Sequence, residues 1–193
     1  MFSLKSGSTA ITEAGVPAVP LGSAFRLYAE SSGDFVHFQA GSSQTGISVA
    51  NSNATPAVVV FELFRLDGTS LGSTGTLTIP ANGERALYLN AVPGLPALPA
   101  SFQGVLRISG PAGISVVGLR GRYNERGDFL ITTTAPIPED APPPTGELLF
   151  PHIAEGDGFT TQFILFSGTP GLTSSGSVRY IGQNGLPLPL SIR

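Results

Sequence analysis

The chain has no cysteine and no tryptophan, and only 12% of its residues are charged, about half the usual share of roughly 25%. Without cysteine there are no disulfides, no thiolate catalysis and no Cys-ligated metal. Ten Lys plus Arg in a chain of net charge −3 give no basic stripe to neutralise phosphates, so nucleic acid is excluded as a partner. The opening Met1-Phe2-Ser3-Leu4-Lys5 lacks the basic start and apolar run of a signal peptide, and no apolar stretch reaches the length of a membrane span. No Gly-x-Ser-x-Gly elbow is present, and no glycine pair is followed by the Gly-Lys-Ser/Thr of a phosphate loop.

What is abundant is turn and strand chemistry. With 25 glycines and 17 prolines among 193 residues, and 41% apolar residues to furnish a core, the composition suits short strands and many turns. Period-2 or β-branched runs fall at residues 24–30, 45–51, 58–65, 74–79, 85–89, 103–108, 114–119 and 128–133, each bounded by Gly, Pro or Asn. Residues 147–150, 162–166, 176–181 and 188–192 read as four more strands. The expectation is an all-β, antiparallel, Ig-like β-sandwich of about 12 short strands with no substantial helix.

Four segments follow. Residues 1–23 read as an extended arm, because the prolines of Gly15-Val16-Pro17-Ala18-Val19-Pro20 fix φ and bias their neighbours away from helix. Its alternating Phe2 and Leu4 suit a strand donated to a sheet edge. Residues 24–134 form a first β unit, 135–146 a Pro-rich linker or crossover that cannot pair as a central strand, and 147–193 a shorter second unit. The second unit repeats the first: Ile47–Asn51 corresponds to Ile164–Gly168, and Phe61–Gly68 to Val178–Gly185, at closely matched spacing and with an Asx-Gly turn at the end of each. At roughly 45 residues the later unit is at the limit for an independent core, so it is expected to lean on the first unit, the arm or another strand.

Candidate chemistry is sparse. His37 and His152 have no metal-ligand spacing and read as surface or turn residues. Glu155-Gly156-Asp157-Gly158 has too few carboxylates for a calcium loop, and Glu139-Asp140 reads as a solvated pair that keeps the linker wet. The densest polar stretch runs from Leu119 to Asp128. Its Arg120, Arg122, Tyr123, Arg126 and Asp128 form either a recognition surface, since Arg and Tyr anchor interfaces, or an intramolecular salt-bridged turn. No catalytic residue, metal ligand or cofactor is assigned.

The motifs Thr45–Asn51, Leu66–Gly68, Phe102–Ser109, Val117–Arg120 and Asn124–Leu130 resemble the Ig-like or fibronectin-III-like β-sandwich modules of large, mostly uncharacterised secreted bacterial surface proteins. The resemblance covers roughly residues 24 to 193. It implies an extracellular or cell-surface location and transfers no catalytic residue. The expected function is therefore a non-catalytic structural or adhesive module, self-associating by strand addition or binding other surface proteins. The alternative is a carbohydrate-binding module, for which Tyr28, Tyr88, Tyr123 and Tyr180 are the aromatic platforms available.

Overall fold

The computed structural model describes residues 1–139, 141–142, 146–154, 156–165 and 176–188. The strands are β1 (Phe2–Ser6), β2 (Thr9–Ala14), β3 (Gly22–Ser32), β4 (Ser43–Asn51), β5 (Ala57–Arg65), β6 (Ser70–Ile79), β7 (Glu84–Tyr88), β8 (Ser101–Tyr123), β9 (Phe129–Thr134) and β10 (Ile137–Pro138). A single 3-10 turn at Leu89–Ala91 is the only helical element among the described residues. All the strand pairings are antiparallel.

The architecture is organised by β8. Its first half lies between β3 and β5, and its second half lies between β4 and β9; β6, β7 and β10 extend the edges. Ser101 pairs with Ser32, Ser32 with Ser43, and Ser43 with Arg122, so the two ends of β8 are brought near each other. A straight strand would hold those ends about 70 Å apart. β8 therefore doubles over and curls the antiparallel sheet into a half-barrel.

The sequence predicts two strands here, broken at Gly110-Pro111-Ala112-Gly113. They are one strand because the loop after β4 grips the bend. Ser52 donates to the Gly113 carbonyl from its backbone N–H and its hydroxyl (3.0 and 2.8 Å), and Asn53 Nδ2 donates to Ala112 O at 2.9 Å. Asn51, only 2% exposed, anchors that loop from inside. Its Nδ2 donates to Thr55 O and Pro80 O, and its Oδ1 accepts from the Asn53 N–H and Nδ2.

The concave face carries the core. Phe25 and Leu27 of β3, Ile47 and Val49 of β4, Val59, Phe61 and Leu63 of β5, and Leu106 and Ile108 of β8 are fully buried in one cluster. Period-2 alternation puts the intervening residues on the outer face, where a charged row crosses three strands. Arg26, Arg107 and Glu62 are cross-strand neighbours. Glu139, just past β10, receives Arg26 Nε at 2.6 Å and Arg107 Nε at 3.0 Å, and Arg107 reaches Glu62 at 2.8 Å. Glu139 is thus not the solvated linker residue expected from its proline neighbours: its side chain is 9% exposed and pinned between two guanidiniums. Asp140 lies outside the described residues. The first part of the linker pairs with β3 as an edge strand, a place where Pro138 needs no N–H.

The amino-terminal arm is likewise not a single extended strand. Gly7 (φ 61°) turns the chain so that Phe2 pairs with Ala14 and Leu4 with Thr12. The resulting hairpin docks on β9, where Thr12 Oγ1 accepts from the Ile131 N–H at 3.2 Å and Thr133 Oγ1 donates to Gly15 O at 2.6 Å. Phe2 and Leu4 are therefore engaged within the chain.

Beyond residue 146 the expected strands at 147–150 and 176–181 are not ladder strands among the described residues. Two bridges stand there, Gly156 with Phe159 and Ile181 with Pro187. Phe166, Gly168 and residues 189–192 of the expected repeat and last strand lie outside the described residues.

Candidate binding site

The loop from Gly33 to Ser42 closes one end of the half-barrel. Asp34 and Gln39 organise it: the Asp34 N–H donates to Gln39 Oε1 at 2.6 Å, and the Gln39 N–H donates to Asp34 O at 3.0 Å. The Gly41 N–H donates to Tyr123 O, and the Tyr123 N–H donates to Ser42 O (2.8 and 2.9 Å), which ties the loop to the end of β8. Inside this frame Phe38 adopts φ 61° while remaining 69% exposed. For a bulky side chain that conformation costs of order 1–3 kcal/mol, so the loop holds an aromatic ring outward against a local preference.

Phe38 is the rim of an aromatic cluster. Phe35, only 9% exposed, packs on Tyr88 (ring centroids 4.9 Å apart) and Tyr123 (5.3 Å), and Tyr123 packs on Phe38 (5.4 Å) and Phe129 (5.3 Å). Three of these five rings stand at the ends of three separate strands, Tyr88 of β7, Tyr123 of β8 and Phe129 of β9, and the sheet makes room for the cluster with glycine. A Cβ on Gly121 would fall 2.5 Å from Tyr88 Oη and 2.8 Å from Phe35 Cζ, and one on Gly46, the cross-strand partner of Tyr88, would fall 3.1 Å from that ring.

Between the rings is an open cleft of about 270 Å³, completed by Val36, Gln44 and Asn90. A neighbouring hollow of about 400 Å³ shares Phe35, Val36, Gln44 and Asn90 and runs toward Ala97–Ala100. Gln44 is 4% exposed, yet its buried Oε1 has no hydrogen-bond partner in the protein. An unmatched buried acceptor costs about 1–3 kcal/mol, a penalty the fold carries beneath this wall of the cleft. No charged side chain lines the aromatic cleft. Burial, and then the neighbouring Tyr123, raises the Tyr88 hydroxyl above its ordinary pKa, so Tyr88 stays a neutral donor and acceptor at neutral pH.

The arginine-rich segment adjoins this cleft through Tyr123. Tyr123 faces the aromatic cluster, whereas each arginine has a carboxylate partner: Arg120 Nε meets Glu30 at 2.6 Å, Arg122 meets Glu125, and Arg126 meets Asp128 at 3.2 Å. Asn124 builds the turn, its Oδ1 accepting from the Arg126 and Asp128 N–H groups (2.9 and 2.8 Å). The segment is thus a salt-bridged hairpin whose tip, with Arg126 83% exposed, projects beyond the cleft.

The other candidates lie elsewhere. His37 is exposed beside Asp34, with Nδ1 2.8 Å from its carboxylate, and the hydrogen bond from His37 holds that carboxyl below its usual range. Among the described residues no three His, Cys, Asp or Glu side chains gather as a metal site. Glu155 lies outside the described residues, and Asp157 sits in the tight turn Gly156–Phe159. Tyr28 is on the outer face; burial pushes its hydroxyl up to about 12, with the Glu30 carboxylate adding to the rise and Arg120 opposing it. Tyr180 packs against Phe163 in the later block (6.3 Å).

No family model matches the chain, and no curated protein matches it. Solved structures similar in shape include the following two. "Crystal Structure of Thermotoga maritima 1070" aligns with 63% of this chain and 97% of its own at 10% identity and a TM-score of 0.48. The Anabaena sensory rhodopsin transducer aligns with 52% of this chain and 84% of its own at 14% identity and a TM-score of 0.39. No helix among the described residues is long and apolar enough to cross a membrane.

Proposed function

We propose that the chain is a non-catalytic, extracellular adhesive module, built as an Ig-like sandwich, that binds a neutral carbohydrate in its aromatic cleft. The observation that carries this reading is the uncharged cleft lined by the rings of Phe35, Phe38, Tyr88, Tyr123 and Phe129, with the exposed Asn90 in its wall. A pyranose presents an apolar C–H face to stack on aromatic rings and hydroxyls to pair with an exposed amide such as that of Asn90. The absence of charge from the lining disfavours anionic or cationic ligands. The extracellular location rests on the sequence resemblance to secreted bacterial surface modules, with the low charge content in keeping with it.

A glycan array probed with the intact chain and with Phe38→Ala, a change at an exposed ring of the cleft, tests the proposal. Neutral glycans should bind the parent chain, and Phe38→Ala should fold and lose that binding. An array with no hits, or hits that Phe38→Ala retains, would sink it. Self-association by strand addition is a second reading, supported by the exposed apolar residues of the carboxy-terminal block, among them Leu149 (83%) and Phe159 (67%).

A further inference from the structure

The loop that bears Phe38 is a single turn closed in the way that helices are closed. The Phe38 N–H donates to Phe35 O at 3.2 Å, and the Gln39 N–H donates to Asp34 O at 3.0 Å. With Phe38 left-handed at φ 61°, those two bonds make the paired closure of a Schellman motif, and Phe38 occupies its left-handed place. The start of the turn is capped as well, since Asp34 Oδ1 accepts from the His37 N–H at 3.2 Å. The left-handed place normally belongs to glycine, or sometimes asparagine. Burial does not explain a phenylalanine there, because the residue is 69% exposed. Side chains held against a backbone preference cluster at ligand clamps, so the placement of this ring is read from what it faces outside the core.

What the ring can grip follows from its angle. The planes of Phe38 and Tyr123 meet at 76° with their centroids 5.4 Å apart, and both rings line the cleft. The two therefore form a corner, with the exposed Val36 beside it, rather than a flat platform. A ligand seated in a corner needs apolar surface on two adjacent sides. A plain hexose is apolar on a face but carries hydroxyls around its rim, and each hydroxyl turned toward an aromatic ring gives up hydrogen bonds to water. A methyl on the rim supplies the second apolar side without adding charge. Two kinds of neutral sugar carry one: a 6-deoxyhexose, and an N-acetylhexosamine through its acetamide.

We propose that the ligand of the cleft is a neutral methyl-bearing sugar whose methyl packs in the corner between Phe38 and Tyr123, and that the Asp34–Gln39 turn serves to hold Phe38 there. The proposal rests on the reading of the cleft as a glycan site. Phe38 is its specificity-determining residue, and Asp34, which caps the turn without lining the aromatic cleft, is a positioning residue. Hydroxyls on the far side of the sugar remain free to pair with Asn90.

The test titrates the intact chain with glucose, galactose, fucose, rhamnose and N-acetylglucosamine, and melts two variants in parallel. Fucose and rhamnose together, or N-acetylglucosamine, should bind about tenfold more tightly than the plain hexoses, the scale expected for one extra carbon in an apolar pocket, and which of the two does so identifies the source of the methyl. Phe38→Gly should bring all five sugars to the same weak level. Asp34→Ala should shrink the preference and Asp34→Asn, which keeps the capping oxygen, should restore it. In denaturation without any sugar, Phe38→Gly should be about fivefold more stable in its unfolding equilibrium than Phe38→Ala, the reverse of the usual order, because only glycine fits φ 61° without strain. Equal binding of plain and methyl-bearing sugars, or a preference that survives Phe38→Gly, would overturn the proposal while leaving the glycan reading in place. No binding of any sugar would overturn both, and Phe38→Ala proving as stable as Phe38→Gly would remove the strained turn on which the proposal is built.

Discussion

At Gly121 there is no room for a methyl group, because Tyr88 Oη and Phe35 Cζ already occupy the space a Cβ would take. Gly121→Ala should therefore cost about 1–3 kcal/mol in chemical denaturation and weaken glycan binding by moving both rings. Gln44→Met should behave oppositely in stability, leaving the melting temperature unchanged or raised, since it removes an unmatched buried acceptor. Tyr28 gives a pH dependence of defined sign. Its folded-state pKa, about 12, lies above the ordinary value of 10.0, so above that ordinary value the unfolded chain loses the proton first and stability falls as pH rises. Tyr28→Phe should flatten that alkaline decline in thermal unfolding between about pH 10 and 12, and an unchanged slope would assign the decline to other groups. Of the cleft, only Tyr123 and Tyr88 stood out in the sequence. Phe35, Phe38 and Gln44 were hidden because the cleft joins a loop, two strands and a hairpin far apart along the chain. An aromatic pair in a Gly-bounded loop, Phe35-Val36-His37-Phe38, was the one local signal.

Among the elements, the strands of residues 22–134 were legible because each keeps a period of two and ends at Gly, Pro or Asn. β8 was not, since Gly110–Gly113 has the composition of a break and becomes a bend only through the side chains of Ser52 and Asn53. The amino-terminal hairpin escaped for a related reason: its two strands bury little, and what fixes it is the docking of Thr12 and Gly15 onto β9. β10 depends on charge. Glu139→Ala would leave Arg26 and Arg107 side by side on adjacent strands, and removing one partner of a mostly buried pair is strongly unfavourable. A loss of about 2–4 kcal/mol is expected in urea denaturation, with faster amide exchange at Ile137. A loss below about 0.5 kcal/mol would show that the row behaves as a surface salt bridge.

At the scale of the whole molecule, one doubled strand serves both halves of the sheet, so β3, β4, β5 and β9 should lose protection together in native-state hydrogen exchange. Val178–Ile181 should exchange well before Phe61–Phe64, the segment it repeats. The cleft lies where the loop after β3, the end of β7 and the end of β8 converge, and its walls are held by the same strand that closes the fold. The most direct test of its role is a two-dimensional NMR titration of the isotopically labelled chain with neutral oligosaccharides. Binding in the cleft predicts saturable shifts in the Gln44 side-chain amide, the Gly33–Ser42 loop, Tyr88 and Tyr123. No shifts, or shifts confined to the Asn124–Asp128 tip, would contradict it.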